Sequence, residues 1–134
     1  MIKHGLLNAN AKFLLARMGH RDLLGVTDAG YNTPIGAEVV DLAVLPNIPT
    51  MEQVLNGIKE EVAIEKVYLA CEIKEWAPDL LEVYNKIFEG IPISFLPHTP
   101  EFDNMMCNTK GIIRTGQYWK HAPNCILQIG CTYD

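Results

Sequence analysis

No stretch of this sequence approaches the roughly 20 consecutive apolar residues that a membrane helix needs. Lys and Arg are sparse and scattered, 11 against 16 Asp and Glu, for a formal charge of −5. Nucleic-acid binding draws on clustered cations that displace counterions, so that class is disfavoured. Anionic membrane surfaces and highly anionic substrates are disfavoured for the same reason, and a neutral small molecule fits better. The opening residues, Met1 to Asn8, lack the long apolar core of a secretory signal, which predicts a cytoplasmic protein.

Several motifs are missing too. The cysteines, Cys71, Cys107, Cys125 and Cys131, form no Cys-x-x-Cys pair, so zinc-ribbon and thioredoxin-type sites are excluded. Cys71, Cys125 and Cys131 lie in apolar runs, which predicts buried, reduced thiols suited to a reducing compartment. There is no Gly-x-Gly-x-x-Gly and no Gly-x-x-x-x-Gly-Lys-Ser/Thr, so nucleotide binding loses its main signatures. The Gly-x-Ser-x-Gly elbow of α/β hydrolases is absent. So is His-Glu-x-x-His, and no ligand spacing supports a metal site.

What remains is a chain of 134 residues, 49% apolar and 20% charged, enough for one domain with one core. Ala11, Leu14, Leu15 and Met18 mark one face of a helix, with Gly19 as a stop. Leu23 to Thr27 reads as a buried strand, and Glu38 to Leu45 as another. Thr50 and Gln53 form a capping box before a helix running to Val62. Ile64 to Cys71 is a strand. Pro78 opens a helix with a buried face of Leu80, Leu81, Tyr84, Ile87 and Phe88, which Gly90 ends. Ile91 to Leu96 is a strand, Thr99 and Pro100 open a short helix, and strands are expected at Gly111–Thr115 and Asn124–Tyr133. The alternation predicts an α/β domain with a largely parallel sheet between helical layers.

Candidate site residues follow from this layout. His20 sits on a turn, and an imidazole there can give and take protons near neutral pH. Asp28 ends an apolar strand, where ligand sites of open α/β sheets lie. It can bind hydroxyls, orient a histidine or simply cap its own loop. His98 also follows a strand. His121 and Asn124 border the last strand, and the Asn124 amide both donates and accepts. The aromatic loop from Gly116 to Pro123 suggests a binding surface or a subunit contact. Asp41 and Glu72 are read as members of structural polar networks.

Short stretches in one order over the whole length carry a resemblance. They are Leu7-Asn8, Gly19-His20-x-Asp22, Asp28-Ala29-Gly30, Asp41-Leu42-Ala43-Val44, Glu72-Ile73-Lys74-Glu75, Pro97-His98 and Ile113-Arg114-Thr115-Gly116. The chain resembles the D-ribose pyranase and L-fucose mutarotase family, with Asp28-Ala29-Gly30 and Pro97-His98 closer to the ribose branch. The resemblance implies a three-layer α/β/α fold and a ring-shaped homo-oligomer, often a decamer, with sites near subunit boundaries. It implies an isomerase of carbohydrate metabolism that interconverts cyclic forms of a free monosaccharide without metal or organic cofactor. His20 matches the proton-donating histidine, and Asp28 and His98 match substrate-binding positions. Where the family has Tyr-x-Asn, this chain reads Lys120-His121-Ala122-Pro123-Asn124. Asn124 matches the asparagine, Ala122 stands in register with the tyrosine, and an extra residue lets His121 or Tyr118 fill that space. A fucose-type mutarotase and a non-catalytic sugar-binding protein are the alternatives.

Overall fold

Local signals account for most elements of the structure, a computed structural model describing all 134 residues. Helix α1 (Ala9–Ala16) starts where the Asn8 side chain accepts the Ala11 N–H, and buries Ala11, Leu14 and Leu15. Strand β1 (Leu23–Thr27) follows, then β2 (Val39–Asp41). Helix α2 (Met51–Glu61) carries the expected capping box. The Thr50 hydroxyl accepts the Gln53 N–H, and the Gln53 side chain accepts the Thr50 N–H. Strand β3 (Ile64–Ala70) leads through a single-turn helix, α3 (Ile73–Trp76), into α4 (Pro78–Ile87), with Pro78 in its first turn. Gly90, at φ 82°, turns the chain out of α4 toward β4 (Ile93–Leu96), a left-handed conformation that suits glycine. A distorted turn over His98–Phe102, extended at Thr99, runs into α5 (Asp103–Met106). Strands β5 (Gly111–Arg114) and β6 (Cys125–Ile129) complete the chain. No helix is long and apolar enough to cross a membrane.

The six strands form one sheet in the order β2-β5-β1-β6-β3-β4. Pairings β2–β5, β5–β1 and β3–β4 are parallel, whereas β6 runs antiparallel between β1 and β3. The expected largely parallel sheet is therefore present, with one reversed strand at its centre. That reversal brings the start of β6 to the same edge as the carboxyl ends of β1, β3 and β4.

Strand residues alternate between two apolar layers, as the pleat requires. Leu24, Val26, Val67, Leu69, Ile113, Cys125 and Leu127 meet α1, α2 and α4 in the larger core. Ala70, Ile112 and Ile126 face the other way, onto Phe102, Met106 and Ala122. Gly25 is needed on this second face, because a Cβ there would lie 2.4 Å from the Met106 sulfur. The result is the expected single α/β/α domain, with a thick helical layer on one face and a thin one on the other.

Three expectations are corrected. The strand expected over Glu38–Leu45 shrinks to Val39–Asp41, because Val44 and Leu45 hydrogen-bond to the Ile48 carbonyl in a tight turn. The strand expected over Asn124–Tyr133 ends at Ile129, since the last backbone bonds to the chain before β1 and β3 are those of Ile129 with Arg21 and Asp22 and of Gly130 with Ala63. Cys131 consequently lies exposed instead of buried, and Cys71 is only half-buried. Cys125 is buried as expected, and all four thiols are free.

One buried bond ties the larger core to the loop before β6. The Tyr84 hydroxyl donates to the Pro123 carbonyl at 2.6 Å. Tyr84→Phe leaves that carbonyl only the weak Cys125 thiol donor, 3.7 Å away, and should cost about 1–3 kcal/mol. Urea denaturation followed by circular dichroism is the check, and an unchanged midpoint would contradict this role for the bond.

Candidate functional site at the carboxyl edge of the sheet

Four of the five candidate residues converge. Asp28 directly follows β1, His98 lies two residues beyond β4, and Asn124 directly precedes β6. His121 reaches the same place from the preceding loop. Together they line one cavity of about 890 Å³. Asn124 arrives there only because β6 is antiparallel; in a parallel strand its start would lie at the opposite edge.

The pieces are fixed to one another. The Asn124 side-chain oxygen accepts the Asp28 backbone N–H at 2.8 Å. Asn124 is 3% exposed, yet its amide nitrogen has no protein partner and opens toward the cavity. The Asp28 carboxylate accepts the Gly30 N–H at 3.1 Å. Burial pushes the Asp28 carboxyl above its ordinary range, opposed by the N–H groups of Gly30 and Tyr31 and by His121 and His98. The backbone N–H of His98 is held by the Glu72 carboxylate at 3.0 and 3.2 Å, which gives Glu72 its structural role. Asp41 has one as well, paired through both oxygens with Arg114 at 3.0 Å.

The loop from Gly116 to Pro123 holds two left-handed residues, Trp119 at φ 65° and Ala122 at φ 56°. A left-handed conformation costs a non-glycine residue about 1–2 kcal/mol. Ala122 packs into the second apolar cluster, while His121 is exposed and meets the Trp76 ring edge-on at 6.2 Å. Tyr118 also lines the cavity and packs edge-on against Trp119 at 4.8 Å. Both residues considered for the missing tyrosine are therefore at the cavity. Trp119, 81% exposed, and Ile35 stand on its rim.

His20 is elsewhere. It precedes β1, so the length of that strand, about 17 Å at ~3.3 Å per residue, separates it from Asp28. Within one chain Asp28 neither touches nor orients it. Its partner is Glu65, with Nε2 and Oε2 3.0 Å apart. Glu65 also accepts from the Gln128 amide at 2.6 Å, and Gln128 accepts from the Tyr68 hydroxyl at 3.1 Å. The Gln128 bond and then His20 hold the Glu65 carboxyl below its ordinary range, so it is ionised at neutral pH.

Sequence reasoning did not single out Glu65 for His20, nor Tyr31, Trp76 and Asp103, which line the cavity with His98. Glu65 carried no signal, because it looks like one more solvated residue on an alternating strand. Tyr31 had a weak one, standing three residues after Asp28 in the same loop.

A strand-edge cavity with a carboxylate, an unspent amide and two imidazoles, ringed by aromatic side chains, defines an α/β/α protein built to hold a small polar molecule. The chain belongs to the RbsD / FucU transport protein family, whose model matches residues 1–132. It is 38% identical to the D-ribose pyranase of Limosilactobacillus fermentum, covering 99% of this chain and 100% of that one. It is 39% identical to the D-ribose pyranase of Enterococcus faecalis, covering 96% of each. Its structure matches Bacillus subtilis RbsD complexed with D-ribose at a TM-score of 0.93 and 35% identity, over 99% of this chain and 100% of that one. The fucose mutarotase of Streptococcus pneumoniae, in complex with L-fucose, shares the fold at a TM-score of 0.82 and 18% identity, over 95% of each chain.

The raised Asp28 carboxyl sets a stability prediction. A carboxyl whose pKa rises on folding contributes stability below its unfolded value and loses it as pH rises through the folded value. At pH 7 the ionised Asp28 is therefore a net cost to the fold. Asp28→Asn should raise the melting temperature at pH 7, with the difference narrowing as pH falls through the carboxylate range. Thermal melts of both proteins across pH check this, and a gain that grows toward acid would refute it.

Proposed function

We propose that this protein is an isomerase of the D-ribose pyranase type, which interconverts cyclic forms of free D-ribose by general acid–base ring opening. The observation that carries the reading is the convergence of Asp28, His98, His121 and Asn124 in one cavity of a chain homologous over its full length to D-ribose pyranases. Ring opening needs only proton transfers: one leaves the anomeric hydroxyl and another reaches the ring oxygen. Reclosure through a different hydroxyl changes the ring size, and reclosure on the other carbonyl face changes the anomer.

Asn124 offers its free amide N–H to a sugar hydroxyl, and the Asp28 carboxylate accepts from another. His98 and His121 complete the polar wall. Aromatic rings at Tyr31, Trp76 and Tyr118 suit the apolar C–H faces of a sugar ring. His121 occupies the place of the family tyrosine and hydrogen-bonds the sugar there. His20 is the general acid, and Glu65 holds its imidazole.

Because a single chain keeps His20 at the opposite end of β1, the acid for each cavity comes from a neighbouring copy. This supports a ring-shaped homo-oligomer, such as a decamer, with sites at subunit boundaries. The exposed apolar rim at Ile35, Tyr118 and Trp119 supplies surface for that contact. Four unpaired thiols fit a cytoplasmic location.

Saturation-transfer NMR of equilibrated D-ribose tests the activity. The wild-type protein should accelerate exchange between pyranose and furanose forms, and His20→Ala should lower the rate by about 10²–10⁴-fold. Binding of ribose without faster exchange would instead make it a sugar-binding protein. Faster exchange of L-fucose than of D-ribose would move it to the fucose branch.

Subunit mixing tests the shared site. Unfolding and refolding His20→Ala together with Asp28→Ala should restore activity at about a quarter of the sites, since each intact site needs one particular residue from each of two copies. No recovery in refolded mixtures, where each wild-type control refolds fully, would place acid and carboxylate in one chain's site.

A further inference from the structure

The turn that follows β4 holds His98 in more than position. Its ring stacks on Phe102 at 6.0 Å between centroids and meets Tyr31 at 6.4 Å. Its Nδ1 lies 3.3 Å from the Thr99 hydroxyl oxygen and 3.7 Å from Asp103 Oδ2. The Thr99 hydroxyl donates to Asp103 Oδ2 at 2.8 Å, and the Tyr31 hydroxyl donates to Asp103 Oδ1 at 2.7 Å.

Proton counting along this chain leaves one arrangement. The Asp103 carboxylate only accepts, so Thr99 spends its single proton on it. The Thr99 oxygen then has only lone pairs to offer Nδ1. Nδ1 must therefore carry the imidazole proton, and Nε2 is left with a lone pair and no protein partner. The other charged or titratable groups around His98 do not compete for the ring nitrogens. Glu72 is taken by the backbone N–H, and Asp28, Cys107 and His121 line the cavity without bonding to the ring. Burial and the Asp103 carboxylate push the Tyr31 hydroxyl upward, so it stays a donor.

We infer that Asp103 and Thr99 are positioning residues that fix His98 as its Nδ1–H tautomer, and that His98 Nε2 is the proton acceptor for the sugar's anomeric hydroxyl. The inference rests on the ring-opening reading above. In the step, the anomeric O–H proton moves to Nε2 and its electron pair forms the carbonyl. The bond from the anomeric carbon to the ring oxygen breaks, and that oxygen takes the proton delivered by His20. The imidazolium formed at His98 is stabilised through Thr99 by Asp103. His98 is thus a reacting base rather than only a hydroxyl ligand, and two residues outside the expected site set its direction.

The test reads the tautomer and the rate separately. ¹⁵N NMR of histidine-labelled protein at pH 8, with His98→Gln to assign the signal, should place the wild-type His98 proton on Nδ1. Thr99→Val should convert this to a mixture of tautomers and lower kcat roughly ten-fold, with KM changed less than about two-fold. Asp103→Ala, in which Thr99 is free to donate to the ring instead, should do the same. Thr99→Ser should restore both the tautomer and the rate. A wild-type proton on Nε2, or a tautomer and kcat untouched in both Thr99→Val and Asp103→Ala, would overturn the inference. A wild-type protein that fails to accelerate ribose exchange would sink the functional reading instead, and the NMR signal would still decide the tautomer.

Discussion

The reversed seating of β6 is the constraint on which the site depends. In an all-parallel sheet the cavity would be bounded only by residues that follow strands, here those after β1, β3, β4 and β5. With β6 antiparallel, Asn124 joins that edge from the other side of the strand. Its side-chain oxygen then closes on the Asp28 N–H, locking the loop after β1 to the loop before β6. One bond fixes the distance between the carboxylate and the amide that face the cavity. The Tyr84 hydroxyl on Pro123 anchors the same loop from the opposite layer. The site therefore inherits its rigidity from the core.

That rigidity is bought with local strain and desolvation. Asp28 is held where burial disfavours its charge, and Trp119 and Ala122 adopt left-handed conformations. Each is a cost that the packed layers offset, and each lies on the cavity, whereas the other two left-handed non-glycine residues, Arg21 and Asn47, lie away from it. The two histidines sit in different environments. His20 faces an ionised carboxylate directly. His98 reaches its carboxylate through a hydroxyl and keeps one nitrogen free. In the proposed reaction, acid and base chemistry are then run by the same side-chain type in two settings.

Much of the fold was legible in the sequence, because the signals are local. The capping box of α2, Pro78 at the start of α4 and the apolar run of β1 all specify their elements from neighbouring residues. The ends of β2 and β6 were not legible, since a strand stops where its partners stop. Leu42 to Leu45 looks as β-like as Val39 to Asp41, but the backbone turns on itself at Ile48. Likewise Gly130 to Tyr133 continues an apolar run past the last residues that β1 and β3 present.

Residue types and their order along the chain determined the α/β class, the family resemblance and four of the residues that meet at the cavity. Those four follow from the rule that loops at one edge of a sheet converge. Only the tertiary structure decided the direction of β6, the partners Glu65 and Asp103, and the separation of His20 from Asp28. His20 and Asp28 stand only eight positions apart in sequence. A strand runs between them, and at its fixed rise per residue it carries its two ends to opposite edges of the sheet.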